Sequence, residues 1–272
     1  MLILAATPIG NLSDASPRLV EALKSAKHIA AEDTRTLLQL ANALNVRIES
    51  KLYSLHEHNE SARLAQLVEV AAEHDLLVVS DAGMPTVSDP GFLLVRECAA
   101  ANVEIISIPG PSAVLAALAV SGLPTDRFCF EGFLPRKSGE RKQVFESLRQ
   151  EVRTMIFFEA PHRIKDSIID AIEVLGPERR ATVSRELTKK FEHTERGTLA
   201  DLLDWAETSP KGEMVFIIAG AAPVVYDLAE LGARALALKA KGLSLKEAAT
   251  EISKSTGMSK SAIYEQALLL KP

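Results

Sequence analysis

The residues best suited to chemistry are concentrated in Ser80-Asp81-Ala82-Gly83-Met84-Pro85-Thr86-Val87-Ser88-Asp89-Pro90-Gly91. Small side chains let a ligand approach the backbone closely, and an acceptor such as Asp81 suits a ligand with hydroxyls or positive charge. Ile108-Pro109-Gly110-Pro111-Ser112-Ala113 repeats the pattern. Pro111 can open a helix because no backbone donor is needed there, and Ser112 can offer a hydroxyl or an N–H. Thr7-Pro8-Ile9-Gly10-Asn11-Leu12 is a third such stretch, and Glu32-Asp33-Thr34-Arg35 and His56-Glu57-His58-Asn59-Glu60 add charge and imidazole. His56 and His58 are two residues apart, which sends them to different faces of a helix. No cysteine is near and the order is not H-E-x-x-H, so no metal site is expected. Neither G-x-G-x-x-G nor G-x-x-x-x-G-K-[ST] occurs, so dinucleotide and P-loop readings lose support.

Each of these stretches needs an element to position it. Apolar runs at 2–6, 29–31, 76–80 and 104–108 read as strands, alternating with helical patterns at 17–25, 34–44, 60–73, 91–101 and 111–120. Such alternation predicts a parallel sheet with helices on its faces, and the loops at its carboxyl edge are where ligands bind. A break at Gly122-Leu123-Pro124-Thr125 begins a second α/β layer with its own sheet. Its strands are expected at 128–131, 154–158, 181–184 and 214–219, with an antiparallel one at 191–197, and its helices at 138–150, 162–175 and 199–206. After Gly220-Ala221-Ala222-Pro223 the chain has no strand-like run. Helices are expected at 228–240, 244–253 and 260–270, with Ser244 and Glu247 at capping-box spacing and Ser259 capping the last. The turn Thr256-Gly257-Met258-Ser259 makes this end a helix-turn-helix candidate or a plain helical hairpin. The expected domains are 1–122, 123–222 and 227–272.

Composition sets the outer bounds. With 272 residues, 47% of them hydrophobic, the chain can bury a core. Its net charge of −5 argues against a wholly basic nucleic-acid binder, and two cysteines exclude a disulfide framework or a four-thiolate zinc site. Charge is nevertheless local. Residues 134–165 hold eight Lys/Arg against four Asp/Glu, and residues 179–196 hold six against three, so the second half could face a polyanion. The N-terminus shows no positive region before its short apolar run, and the longest apolar run, 113–120, has eight residues. No signal peptide and no membrane span are expected, and a cytoplasmic location is.

Eight ordered motifs then point one way. Thr7-Pro8-Ile9-Gly10-Asn11-Leu12, Ala31-Glu32-Asp33-Thr34-Arg35, Ser80-Asp81-Ala82-Gly83 with Asp89-Pro90-Gly91, and Pro109-Gly110-Pro111-Ser112 come first. Glu131-Gly132-Phe133-Leu134-Pro135, Phe158-Glu159-Ala160-Pro161-His162-Arg163, Arg185-Glu186-Leu187-Thr188-Lys189 and Lys211-Gly212-Glu213 follow. Together they resemble the RsmI family of bacterial 16S rRNA cytidine 2′-O-ribose methyltransferases, part of the tetrapyrrole methylase superfamily. Met84 stands where Thr is common and Ala160 where Ser is common, and neither change removes a charge or a nucleophile.

The resemblance implies a two-domain tetrapyrrole methylase-like (class III methyltransferase) α/β fold with a helical extension, S-adenosylmethionine in the cleft between domains, and a homodimer. It implies cofactor contacts from Pro8, Asp81, Gly83, Met84, Val87, Ser88, Ser112, Ala113, Phe133, Leu134, Glu159, Glu213 and Met214. It implies methylation of a decoding-centre cytidine in the small ribosomal subunit, without metal. A ribose hydroxyl is a poor nucleophile until its proton leaves, and Asp33, His56 and Glu186 are the candidate bases. Arg35, Arg163, Arg185, Lys189, Lys254 and Lys260 are the candidate RNA contacts. Two rivals stay open: a superfamily enzyme that methylates tetrapyrrole carbon, and a non-catalytic regulator that binds DNA through 244–270.

Overall fold

Five four-residue strands, each followed by a turn and a helix, build the first half as a doubly wound layer. The computed structural model describes residues 1–56, 58–208, 210–222 and 226–270. Glu57 of the 56–60 stretch, Pro223 of the second linker and the last two residues lie outside these. The strands are β1 (Leu2–Ala5), β2 (His28–Ala31), β3 (Lys51–Ser54), β4 (Leu76–Val79) and β5 (Ile105–Ile108). They lie in the order β3-β2-β4-β1-β5, and every pairing is parallel. The connecting helices are α1 (Pro17–Ser25), α2 (Thr34–Ala43), α3 (Glu60–Glu73) and α4 (Phe92–Ala100).

Alternation along the strands serves two apolar layers, as a sheet covered on both faces requires. Leu2, Leu4, Leu76 and Val78 pack with Leu67 of α3 and Leu94 of α4. Ala5, Ile29, Leu77 and Val79 pack with Leu19 of α1 and Leu37 of α2. Helix α1 starts where Ser16 accepts the Leu19 N–H and Pro17 supplies a first residue needing no donor. Strand β3 has no counterpart among the expected strands. It pairs only with β2, and only Tyr53 of its four residues is fully buried, so it lacks an apolar run.

The second sheet runs β6-β7-β10-β8-β9. Its strands are β6 (Phe128–Phe133), β7 (Thr154–Glu159), β8 (Arg180–Arg185), β9 (His193–Thr198) and β10 (Met214–Ile218). Only β6 and β7 pair in parallel; β10 is antiparallel to both β7 and β8, and β9 is antiparallel to β8, the sense expected for that segment. One face, through Met155, Phe157, Phe216 and Ile218, packs on α6 (Ser138–Ser147), α7 (Ile164–Leu175) and α8 (Leu199–Ala206). The other face, through Ile156, Val215 and Ile217, packs on Val114, Ala117 and Leu118 of α5 (Ala113–Ser121). Helix α5 follows the last strand of the first sheet yet covers the second. That shared apolar layer joins Met1–Ala221 into one compact unit.

The second compact unit, Ala222–Pro272, contains α9 (Leu228–Ala240), α10 (Leu245–Thr256) and α11 (Lys260–Leu269). Ser244 and Glu247 form the expected capping box, and Ser259 accepts the Ala262 N–H at the start of α11. Gly257 ends α10 at φ +71°, a left-handed conformation open to glycine. Leu231, Ala235, Ala249, Ile252 and Ile263 give the three helices an apolar core of their own. Among the described residues, no helix is long and apolar enough to cross a membrane.

Candidate functional site

Because the first sheet is wholly parallel, the loops after all five of its strands emerge on one edge. Two of them are stitched together: Thr7 N–H donates to the Gly83 carbonyl at 2.8 Å and Gly83 N–H to the Thr7 carbonyl at 3.1 Å. The buried Thr7 hydroxyl also donates to the Ser80 carbonyl at 3.2 Å. Gly83 sits at φ +87°, and a Cβ there would lie 3.6 Å from Ile9 and 3.9 Å from the Pro111 carbonyl. Loops after β1, β4 and β5 therefore meet around a residue with no side chain.

The loop from Ser80 to Gly91 is held in an unusual shape. Thr86 and Ser88 adopt φ +78° and +62°, conformations that cost non-glycine residues about 1–2 kcal/mol each. A neighbour fixes the far end of this loop: Glu60 Oε1, in a residue only 8% exposed, accepts N–H bonds from Gly91 at 3.1 Å, Leu93 at 2.9 Å and Leu94 at 3.3 Å. Those donors are the free N–H groups that open α4, where a carboxylate is favoured.

Between the two sheets lies a cavity of about 360 Å³. Ile9, Ala82, Ser88 and Asp89 line it from the first-sheet loops, with Ala113 at the start of α5. Phe133, Phe158–Pro161, Leu187 and Glu213–Val215 line it from the second sheet. An apolar wall with a few polar groups is the usual make-up of a small-molecule site.

Its three carboxyl groups differ in their partners. The Glu159 side chain is 0% exposed and forms an ion pair with Arg163, itself 16% exposed. Glu159 also accepts the Ser167 hydroxyl at 2.5 Å and the Ala160 N–H at 2.8 Å. Glu213 pairs with Lys189 Nζ at 2.7 Å. Asp89 has no cation partner among the described residues. Burial pushes its carboxyl up to about 6; a hydrogen bond from Ser80 opposes this, and the Glu32 and Asp81 carboxylates add to it. Burial raises Glu32 and Asp81 as well. Asp33 is the opposite case. Hydrogen bonds from the Arg35 guanidinium, at 2.6–3.2 Å, hold its carboxyl down to about 2.

Of the thirteen expected cofactor contacts, Ser88, Ala113, Phe133, Glu159, Glu213 and Met214 line the cavity. Gly83 lies against Ile9, which lines it, and Pro8 is buried in the same turn. Ser112 caps α5 by accepting the Leu115 N–H, and Asp81 accepts the Asp33 N–H at 3.2 Å. Val87 is exposed, Met84 packs against the first-sheet core, and Leu134 is buried with Phe145 and Phe157 on the far face of the second sheet.

The candidate bases are spread out. Asp33 caps α2 and pairs with Arg35. Glu186, at φ +51°, accepts from Lys189 at 3.1 Å and from the Glu213 N–H at 3.2 Å. His56 follows β3, its N–H donating to Asn59 Oδ1. Among the candidate RNA contacts, Arg35 is exposed beside Asp33, and Lys189 bridges Glu186 and Glu213. Arg185 donates to the Lys211 carbonyl at 3.4 Å, and Arg163 turns inward to Glu159. Lys254 is in the last turn of α10, and Lys260 opens α11. Asp89 stands out in the sequence only as part of its Asp-Pro-Gly motif. Glu60 appears there only as part of the 56–60 stretch, because its role exists only in three dimensions.

Comparison with known proteins places this architecture. A family model for tetrapyrrole (corrin/porphyrin) methylases matches residues 1–203. The chain is 46% identical over 252 residues to ribosomal RNA small subunit methyltransferase I of Mycobacterium tuberculosis (strain CDC 1551 / Oshkosh), covering 92% of the chain and 88% of that protein. It is 44% identical over 276 residues to the protein of that name from Synechocystis sp. (strain ATCC 27184 / PCC 6803 / Kazusa), covering 100% and 98%. Among solved structures, the methyltransferase CobJ superposes with a TM-score of 0.61 at 22% identity, over 83% of this chain and 96% of that one. Diphthine synthase gives 0.61 at 14% identity, over 80% and 89%. These two show a shared fold, while the closer sequence relatives also span the helical tail. The chain belongs to the tetrapyrrole methylases and, within them, to the family of the ribosomal RNA small subunit methyltransferase I proteins.

Proposed function

We propose that this protein transfers a methyl group from S-adenosylmethionine to the 2′-oxygen of a decoding-centre cytidine in the 16S rRNA of the small ribosomal subunit. One observation carries the reading: a cavity built by loops of both sheets, in a chain whose full length matches a relative named for small-subunit rRNA methylation. The tetrapyrrole alternative has no comparable support, because its structural counterparts share only the fold.

The residues present fit the cofactor. A side chain at Gly83 would project toward Ile9 and the Pro111 carbonyl, so the glycine leaves open a backbone cradle. Phe133 and Phe158, with ring centroids 5.3 Å apart, and Met214 offer an apolar wall to an adenine ring. Bound there, S-adenosylmethionine supplies an electrophilic methyl group on a positively charged sulfur. The chain's own work is positioning: holding the acceptor ribose in line and excluding water, which can supply much of the acceleration.

Arg35, Arg185, Lys254 and Lys260 hold flanking phosphates in this reading, the arginines by bidentate contacts, while Lys189 is held between Glu186 and Glu213. Arg163 serves instead to neutralise Glu159 in the cavity wall. The protein works without metal in the cytoplasm, as a homodimer; Phe92 and Leu115, both more than half exposed, are apolar surface that a second copy can cover. Activity undiminished in EDTA and a dimeric mass in solution are the expected results. Nucleoside mass spectrometry after reaction with small subunits tests the chemistry: 2′-O-methylcytidine is expected, and a base-methylated cytidine would contradict it.

A further inference from the structure

We propose that Asp89 accepts the proton released when the ribose hydroxyl attacks. The inference rests on the ribose-methylation reading and adds to it the residue that serves as base. As the ribose oxygen bonds to the methyl carbon, the methyl–sulfur bond breaks and its electron pair stays on sulfur, which loses its charge. The hydroxyl proton passes to the Asp89 carboxylate and then to solvent after product release.

Three facts of geometry select this residue. Asp89 is one of three acidic residues lining the cavity; of the other two, Glu159 is buried against Arg163, and the exposed Glu213 shares Lys189 with Glu186. A carboxylate held by a cation is a weak proton acceptor, because its charged form is already stabilised. The loop that carries Asp89 is over-determined: Ser88 just before it is at φ +62°, and Gly91, two residues after it, is clamped by the buried Glu60. Backbone strain of this kind persists where the surroundings enforce a geometry, and it is concentrated at functional sites. Finally, the base candidates Asp33 and Glu186 are each occupied by a cation, Arg35 and Lys189, and His56 is not among the residues that line the cavity.

The titration of Asp89 suits the task. The charges acting on it are Glu32 and Asp81 on the first-sheet side, both negative, while across the cavity Glu159 and Glu213 each carry a compensating partner. Its carboxyl, raised to about 6, is ionised near neutral pH yet far more basic than an ordinary aspartate. A base poised near the working pH is the most effective general catalyst.

The test uses the full chain with Asp89→Asn, which keeps the shape but cannot accept the proton, and Asp89→Glu, which keeps the carboxyl. Carbon-13 NMR of the cofactor-free protein should show one aspartate carboxyl titrating near 6, absent in Asp89→Asn. Calorimetry should find cofactor binding intact in both variants. In single-turnover methylation of small subunits, wild type should lose rate as pH falls through about 6. Asp89→Asn should be slower on the order of 10²–10⁴-fold and lack that break, whereas Asp89→Glu should keep the break. If Asp89→Asn methylates at the wild-type rate with the same break, or fails to bind cofactor, Asp89 is not the base, while ribose methylation by the wild type still stands. If wild type forms no 2′-O-methylcytidine at any pH, the methylation reading falls and the assignment with it.

Discussion

The two rims of the cavity are built on opposite electrostatic plans. On the second-sheet rim each lining acidic residue has a cation beside it: Glu159 has Arg163, and Glu213 has Lys189, which it shares with Glu186. On the first-sheet rim Asp89 and, behind it, Glu32 and Asp81 are raised by burial, and none of the three forms an ion pair among the described residues. Left-handed backbone is found on both rims: Thr86 and Ser88 in the loop that forms the first, Glu186 and Thr188 on either side of the cavity-lining Leu187 in the second. The difference in charge assigns rigidity to one rim and reactivity to the other.

Removing the cation from the rigid rim should have the largest effect. Arg163→Met leaves the buried Glu159 without its partner and should cost about 3–5 kcal/mol, as breaking a buried ion pair does. A melting temperature lowered on the order of 10 °C is expected, with most of the loss recovered in Glu159→Gln/Arg163→Met. An unchanged melting temperature would show that the two rims do not differ in this way. The salt dependence of RNA binding should not respond, because Arg163 spends its charge internally.

Next in size is the cradle of the reactive rim. Gly83→Trp forces a bulky side chain and a disfavoured φ onto the junction of three loops. Calorimetry should detect no cofactor binding, and full affinity would move the cofactor elsewhere.

A third prediction separates cavity from surface. The tail has its own apolar core, so deleting residues 226–272 leaves the core of the first unit whole. If Lys254 and Lys260 each meet one phosphate, the slope of log affinity against log salt should flatten by about 1.5, from roughly 0.7–0.9 per contact. Cofactor affinity should hold. A lower melting temperature with an unaltered slope would make the tail purely structural.

The smallest effect is the most diagnostic of the reactive rim. Asp89 keeps its proton up to about pH 6 when folded, against an ordinary aspartate value near 4 when unfolded. Between those values the folded state binds more protons, so stability falls as pH rises through the window and the penalty is complete above it. Asp89→Asn escapes the penalty. Discounted for solvent screening of a half-buried group, the gain is about 1 kcal/mol near neutral pH, or about 2–4 °C. It should vanish below about pH 4. Equal melting curves at neutral pH would remove Asp89 from the set of strained groups.

Much of the scaffold was legible because local signals agree with it. The bounds expected for α1, α3, α8 and α9 match those found, since side-chain caps mark α1, α8 and α9 and apolar spacing marks α3. The cavity's first rim was also legible, because loops dense in glycine, proline and aspartate follow apolar strands. What escaped depends on tertiary packing. Strand β3 is a four-residue edge with one fully buried side chain. Helix α5 is apolar all round, so no stripe announces that it belongs against the second sheet. Leu134 follows an exposed Phe133 in one motif, yet the two side chains serve opposite faces. Glu60 looks like any first-turn acid of α3 until three N–H groups of α4 are found on it.

Ribose methylation of small-subunit RNA is the central claim, and it has a direct chemical signature. Alkali cleaves RNA through the 2′-hydroxyl, so a methylated ribose leaves a gap in the alkaline ladder. Small subunits incubated with the protein and S-adenosylmethionine should yield 16S rRNA with one new gap, at a cytidine, that is absent when the cofactor is withheld. A ladder unbroken at every position, with label from the methyl group found on a base or on no RNA at all, would contradict the account.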